Sequence, residues 1–359
     1  MDMNQLLADP RRRNIAVLGA VALVCLLLAV AAVWAQADES SDATAQTIFL
    51  PGFAAQENEA ARIHVESKSG AFDVVLGPEN GWVVRQRQNY PASIDLVHRT
   101  LIGLGALTTI EPKTARPDWL HFLGLDSPPR GDGILIAVSD DKGHALAAIV
   151  AGKSEDIGDS TGATGLFVRH PGDNQSWLVR SVMDPRPSLS DWLDKHVMDV
   201  DRARIQEVDV DPAGSPSFIV ARAKPSDADF TLSPLAPGKG VSDPTVPDGV
   251  ASAITEFGFD DVRLAREFDF SNPATSARVI TKTFDGLTVT VHVLKTGADY
   301  WAIVSAEGQP MSDAAKEAAT INAHASGWAY KLPAFKGQLF MTTLDSLTQP
   351  PPAPAPAQP

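Results

Sequence analysis

Residues 277–294 read ARVITKTFDGLTVTVHVL, two runs rich in Val, Ile and Thr, Ala277 to Thr283 and Leu287 to Leu294, on either side of Asp285-Gly286. Asp-Gly between such runs is a tight-turn signal, so the stretch predicts a strand hairpin. A second hairpin is expected upstream, where Ile134 to Val138 turns at Asp140 to Gly143 into Ala145 to Val150. A third strand closes each set, Gly165 to Arg169 in the first and Tyr300 to Val304 in the second.

Working outward, a helix is expected before each hairpin. Pro91-Ala92-Ser93 opens one in which Ile94, Val97, Leu101 and Leu104 share a face, and Pro247-Asp248-Gly249 opens another carrying Val250, Ala253, Ile254 and Phe257. Ahead of the first helix, Ile63 to Glu66, Phe72 to Leu76 and Trp82 to Val84 read as antiparallel strands. Val208 to Asp211, Phe218 to Ala221 and Phe230 to Leu232 repeat that order about 145 residues later. The fold class expected is α+β: an N-terminal transmembrane helix followed by two repeated modules of helix on antiparallel sheet.

The expected segments are a basic cytoplasmic N-terminus at 1–14, a transmembrane helix at 15–35, a small-residue polar spacer at 36–47 and a first module at 48–187. A connecting helix at 188–203, a second module at 204–347 and an extended Pro/Ala tail at 348–359 complete the chain. Within the second module, Ser312-Asp313 caps an Ala-rich helix ended by Gly327, a strand covers Trp328 to Leu332, and a last helix covers Lys336 to Leu347.

From Ile15 to Ala35 every residue is apolar or Gly. At about 1.5 Å per residue these 21 residues reach about 31 Å, matching a hydrocarbon core of about 30 Å. Arg11, Arg12 and Arg13 flank one end and Asp38, Glu39 and Asp42 the other, so these arginines are the topology determinants that keep the N-terminus cytoplasmic. Ala35-Gln36-Ala37 has the form of a signal-peptide cleavage site, but the run exceeds the usual 7 to 15 apolar residues of such signals, so an uncleaved anchor is the stronger reading. Everything beyond it is then periplasmic, on a bacterial inner membrane.

With 30 basic and 44 acidic residues the formal charge is -14, which disfavours nucleic acid and anionic lipid headgroups as partners. The lone cysteine, Cys25, excludes an internal disulfide and a Cys-based zinc site. The eight histidines show no metal-binding spacing, and no cofactor or metal is expected. Gly158-Asp159-Ser160-Thr161-Gly162 satisfies G-x-S-x-G, so a serine hydrolase using Ser160 has to be weighed. A nucleophile elbow requires a helix directly after the Ser, and the strand-like Leu166-Phe167-Val168 follows instead, so an inter-strand loop is the better reading. Ala151-Gly152-Lys153-Ser154 lacks the first glycine of a phosphate loop, and Asp209 and Asp211 read as a solvated strand face rather than a calcium loop. Trp82, Trp119, Trp177, Trp192, Trp301 and Trp328 are expected as core anchors and sheet-surface plugs.

Gly327-Trp328-Ala329-Tyr330-Lys331-Leu332-Pro333-Ala334-Phe335-Lys336, then Leu344-Asp345-Ser346-Leu347, together with Asn89-Tyr90-Pro91-Ala92 and Gly165-Leu166-Phe167-Val168-Arg169, resemble the bacterial domain-of-unknown-function family 4340. The resemblance implies a single-pass envelope protein linked to ABC-type transport systems resembling gliding-motility auxiliary proteins, with a permease and an ATPase as partners. It carries no catalytic residue. The function expected is a membrane-anchored, non-enzymatic accessory protein of such a complex. The alternatives are an envelope module binding a solute or polymer and, behind it, the Ser160 hydrolase.

Overall fold

The computed structural model describes residues 47–349 apart from 79, 236 and 256. Arg11, Arg12 and Arg13, the expected span at 15–35, the spacer up to residue 46 and the tail from residue 350 lie outside the described residues. Among the described residues no helix is long and apolar enough to cross a membrane.

In chain order the first nine strands are β1 (Arg62–Ser67), β2 (Gly70–Leu76), β3 (Trp82–Val84), β4 (Tyr90–Pro91), β5 (Thr108–Pro112), β6 (Ile134–Ser139), β7 (Ala145–Glu155), β8 (Thr164–Arg169) and β9 (Ser176–Ser181). The rest are β10 (Ile205–Asp211), β11 (Phe218–Ala221), β12 (Thr231–Ser233), β13 (Gly240–Val241), β14 (Asp261–Leu264), β15 (Ser276–Thr283), β16 (Leu287–Thr296), β17 (Asp299–Gly308), β18 (Trp328–Leu332) and β19 (Thr348–Gln349). The helices are α1 (Phe53–Gln56), α2 (Ile94–Gly105), α3 (Val246–Ala251), α4 (Asp313–Ala325), α5 (Ala334–Phe340) and α6 (Leu344–Leu347). The class is mixed α+β with antiparallel sheets.

The chain divides into two compact units. The described part of the first is 47–71 with 99–185, and that of the second is 72–98 with 186–349. The expected first module, 48–187, therefore gives up its residues 72–98. The reason lies in what those residues touch: the Tyr90 hydroxyl donates to the Asp194 carbonyl at 3.0 Å, and its ring meets those of Phe259, Trp328 and Tyr330 edge-on. Arg87 adds a bidentate pair with Asp261.

In the first unit the strands pair in the order β1-β6-β7-β8-β9-β5, and in the second the main sheet contains β10-β15-β16-β17-β18-β14. Adding nine to each label of the first series yields the second. Both expected hairpins are present, β6 with β7 and β15 with β16. The strands expected to close each set do not: β9 and β5 lie beyond β8, and β18 and β14 beyond β17. β5 and β14 pair with strands far along the chain, Thr108 opposite Arg180 and Asp261 opposite Lys331, which a local pattern cannot reveal.

One face of the second sheet is the core. Val289, Val291 and Val293 on β16 and Ala302 on β17 are fully buried, and α4 packs along these strands with Ala314, Ala318, Ile321 and Ala325. Small residues permit close approach: a Cβ on Gly308 would lie 2.3 Å from the Ala314 carbonyl carbon. The Ser312 hydroxyl accepts from the Ala315 N–H at 3.1 Å, the N-cap that its sequence announces. Asn322 then locks the helix down, its Oδ1 accepting from the Ala306 N–H and its Nδ2 donating to the Ala306 carbonyl.

Three local expectations need correction. In α2, Val97, Leu101 and Leu104 are buried as a stripe, but Ile94 in the first turn is exposed. The connecting helix at 188–203 is only a 3-10 turn, Leu189–Trp192, with another at Arg202–Arg204. Its backbone groups are taken by residues 91–93: Ser93 N–H donates to the Trp192 carbonyl at 2.9 Å and Asp194 N–H to the Pro91 carbonyl at 2.9 Å. Those bonds hold the segment extended. The last helix is broken into α5 and α6, with Thr343 in extended backbone between them.

Candidate functional site

The Ser160 loop joins β7 to β8, and a strand rather than a helix follows it. Gly158 and Gly162 supply the left-handed backbone that the turns need, at φ 67° and 84°. Asp159 accepts from the guanidinium of Arg180 and from the Thr161 N–H, and Arg180 Nη2 also donates to Thr161 Oγ1 at 2.7 Å. The Arg180 hydrogen bond, with Thr161, holds the Asp159 carboxyl well below the usual carboxylate range. Ser160 is exposed, and among the described residues no hydrogen bond joins it to a histidine. The geometry is a clasped turn. Lys153, from the phosphate-loop-like stretch, donates to the Phe122 carbonyl at 3.0 Å.

Histidine placement is equally specific. His170 stacks on Phe49 with ring centroids 4.5 Å apart, and His144 pairs with Asp140 at 2.8 Å. Among the described residues no group of His, Cys, Asp or Glu is gathered as a metal site.

A concavity lies in the second unit, on the sheet face opposite α4. Strand register sets its floor: Asp211 of β10 faces Arg278 of β15, which faces His292 of β16. Directly opposed residues share a face, so a carboxylate, a guanidinium and an imidazole form one row across three strands. Asp211 and Arg278 are only loosely paired, at 3.6 Å, while Ser217 donates to the other Asp211 oxygen at 2.9 Å.

The connection from β14 to β15 forms the wall. Asp269 accepts from the Ser271 N–H and hydroxyl, Asn272 accepts from the Ala274 N–H, and Gly214 N–H donates to the Pro273 carbonyl. These are local turns in which Asx side chains mimic backbone. Phe268, carried by this connection, packs 4.5 Å from Trp301, and Trp301 and Leu294 are buried although they share the groove's face. What remains open is a groove of about 870 Å³ lined by Asp211, Phe270, Ser271, Arg278 and His292 with prolines at its rim. Lys295, Tyr300, Gln338 and Met341 line a neighbouring hollow of about 460 Å³, to which Ala274 is common.

Burial, and after it the charge of Arg278, pushes the His292 imidazole below its ordinary 6.5. It is therefore neutral at neutral pH and offers one donor and one acceptor. With the fork of Arg278 and the carboxylate of Asp211, the groove presents hydrogen-bonding groups of both kinds beside an aromatic ring. This suits a small polar ligand of no strong net charge.

The sequence does not announce this site: Asp211 is set aside as a calcium-loop ligand and reads as a solvated strand residue, and Arg278 and His292 carry no motif, because their row exists only in the register of three strands. The six weighed tryptophans divide as well: Trp192 and Trp301 are buried, while Trp119 is half exposed.

A family model described as a domain of unknown function (DUF4340) matches residues 82–277, just over half of the chain. No curated protein and no solved structure matches.

Proposed function

The chain is a member of the DUF4340 family, and on that premise we propose that it is a single-pass, membrane-anchored, non-enzymatic accessory subunit of an ABC-type transport complex, with its folded units on the periplasmic side of a bacterial inner membrane. The apolar run at 15–35, with Arg11, Arg12 and Arg13 behind it, supports the anchor and its orientation. The observation that carries the reading is the shared strand order of the two units, β1-β6-β7-β8-β9-β5 and β10-β15-β16-β17-β18-β14. We read this as one helix-on-sheet module used twice. A duplicated scaffold offers two broad faces to a partner, and an anchor raises their effective concentration beside a membrane protein.

The charged side chains fit this role. Lys282 pairs with Glu207, and Arg204 pairs with Glu317 and Asp285, so these groups hold the scaffold together. The test is extraction of the full-length chain from native membranes in mild detergent. A permease and an ATPase should co-purify with it, and recovery of the chain alone across several gentle detergents would overturn the proposal. A second reading, an envelope module that binds a solute or polymer, is favoured specifically by the groove at Asp211, Arg278 and His292. A thermal shift with envelope sugars or peptides that is lost in Arg278→Gln would support it over the first.

A further inference from the structure

Residues 117–123 of the first unit form a 3-10 helix, Pro117–Leu123, ended by Gly124 in left-handed backbone. In such a helix positions i and i+3 lie one above the other. Leu120 and Leu123 face inward, onto a cluster of Leu125, Val150, Phe167 and Leu178. Trp119 and Phe122 face outward, 49% and 63% exposed. The helix is thus rooted by two leucines while it presents two aromatic rings to solvent.

Cations frame the rings. The Arg116 guanidinium lies 4.9 Å from the Trp119 ring centroid while it donates to both oxygens of Asp118, at 3.3 and 2.8 Å, and Lys153 reaches the Phe122 carbonyl. With Arg116 neutralised by Asp118 the rings carry little net charge beside them, and such exposed aromatic rings suit a lipid interface, where they enter the headgroup layer.

The point at which the chain enters the unit lies on the same segment. Thr109 N–H donates to the Thr47 carbonyl at 2.8 Å, and Ile48 bridges to Thr108, so residues 47 and 48 run along edge strand β5. β5 carries Ile110, also exposed, and leads within five residues to Pro117. From Ala35, the end of the apolar run, to Thr47 is twelve residues. Twelve residues span at most about 40 Å. A unit of this size has a radius of gyration of about 13 Å. With the anchor in place, its tethered edge is kept within reach of the bilayer surface.

We propose that the first unit docks on the lipid interface through Trp119 and Phe122. This goes beyond the anchoring by residues 15–35 on which it rests: the folded unit itself becomes a second membrane contact, which fixes its orientation toward a membrane partner.

The test uses the full-length chain and its Trp119→Phe variant, each reconstituted without other proteins into phosphatidylcholine vesicles. Trp34, in the apolar run, contributes equally to both. Lipids brominated near the headgroup end of their chains should quench the Trp119-dependent part of the emission, and aqueous iodide should not. As a second readout, a polarity-sensitive dye at Phe122→Cys in a Cys25→Ser background should shift to the blue on reconstitution, whereas the same dye at Asp141→Cys in the β6–β7 turn should not. Release of the chain from vesicles by alkaline carbonate would overturn the anchor and this inference together. Retention with Trp119 open to iodide would overturn this inference alone, as would protection of Trp119 that arises only when a permease is co-reconstituted.

Discussion

Arg222 follows β11 and is only 7% exposed, yet it donates to four backbone carbonyls and, among the described residues, to no carboxylate. Its partners are Ile205 at 2.9 Å, Asp227 at 3.0 Å, Arg202 at 2.8 Å and Ala203 at 2.6 Å, and its guanidinium also lies over Phe230. One side chain thus ties the start of β10, the 3-10 turn before it and the loop toward β12. Replacement by Met removes four charge-assisted bonds, each worth about 1.5 to 3 kcal/mol. Against this, it removes the desolvation cost of a buried cation, several kcal/mol. The bonds outnumber that single penalty, and the net expectation is destabilisation by about 3 kcal/mol. With a urea slope near 3 kcal/mol per molar, the midpoint read by tryptophan fluorescence should fall by about 1 M. Arg222→Lys keeps the charge but loses the planar fork, so its midpoint should lie between. An Arg222→Met midpoint equal to or above that of the parent would refute the reasoning, because desolvation would then outweigh the bonds.

Gly337 lies in α5 against Tyr300, where an added Cβ would come within 2.1 Å of the ring. Gly337→Ala should cost about 2 kcal/mol through overpacking, despite alanine's better helix propensity, and lower the melting temperature by several degrees. For His292 the folded value lies below the ordinary 6.5, so the neutral form is favoured on folding. That contribution to stability is present above the ordinary value and fades as pH falls from it toward the depressed one. Arg278→Gln should move the imidazole titration followed by NMR upward, and an unmoved or lowered midpoint would contradict the assignment. Ser160→Ala should leave reactivity toward a fluorophosphonate probe and the thermal melt unchanged, whereas labelling that disappears with the hydroxyl would revive the hydrolase reading.

Much of the local architecture is legible in the chain. Asp285-Gly286 marks its hairpin, Ser312 caps α4, and Val97, Leu101 and Leu104 mark the buried stripe of α2, because turns, caps and helix faces depend on residues a few positions apart. The proposed membrane run is likewise a purely local pattern. Tertiary structure alone decided the rest. β5 and β14 are placed by partners some 70 residues away, and 188–203 is drawn out of a helix by residues 91–93. Trp119 and Trp192 are the same residue type, yet one is exposed and the other is in the core. The row of Asp211, Arg278 and His292 has no counterpart in spacing, since cross-strand neighbours are set by register, and register is a property of the assembled sheet.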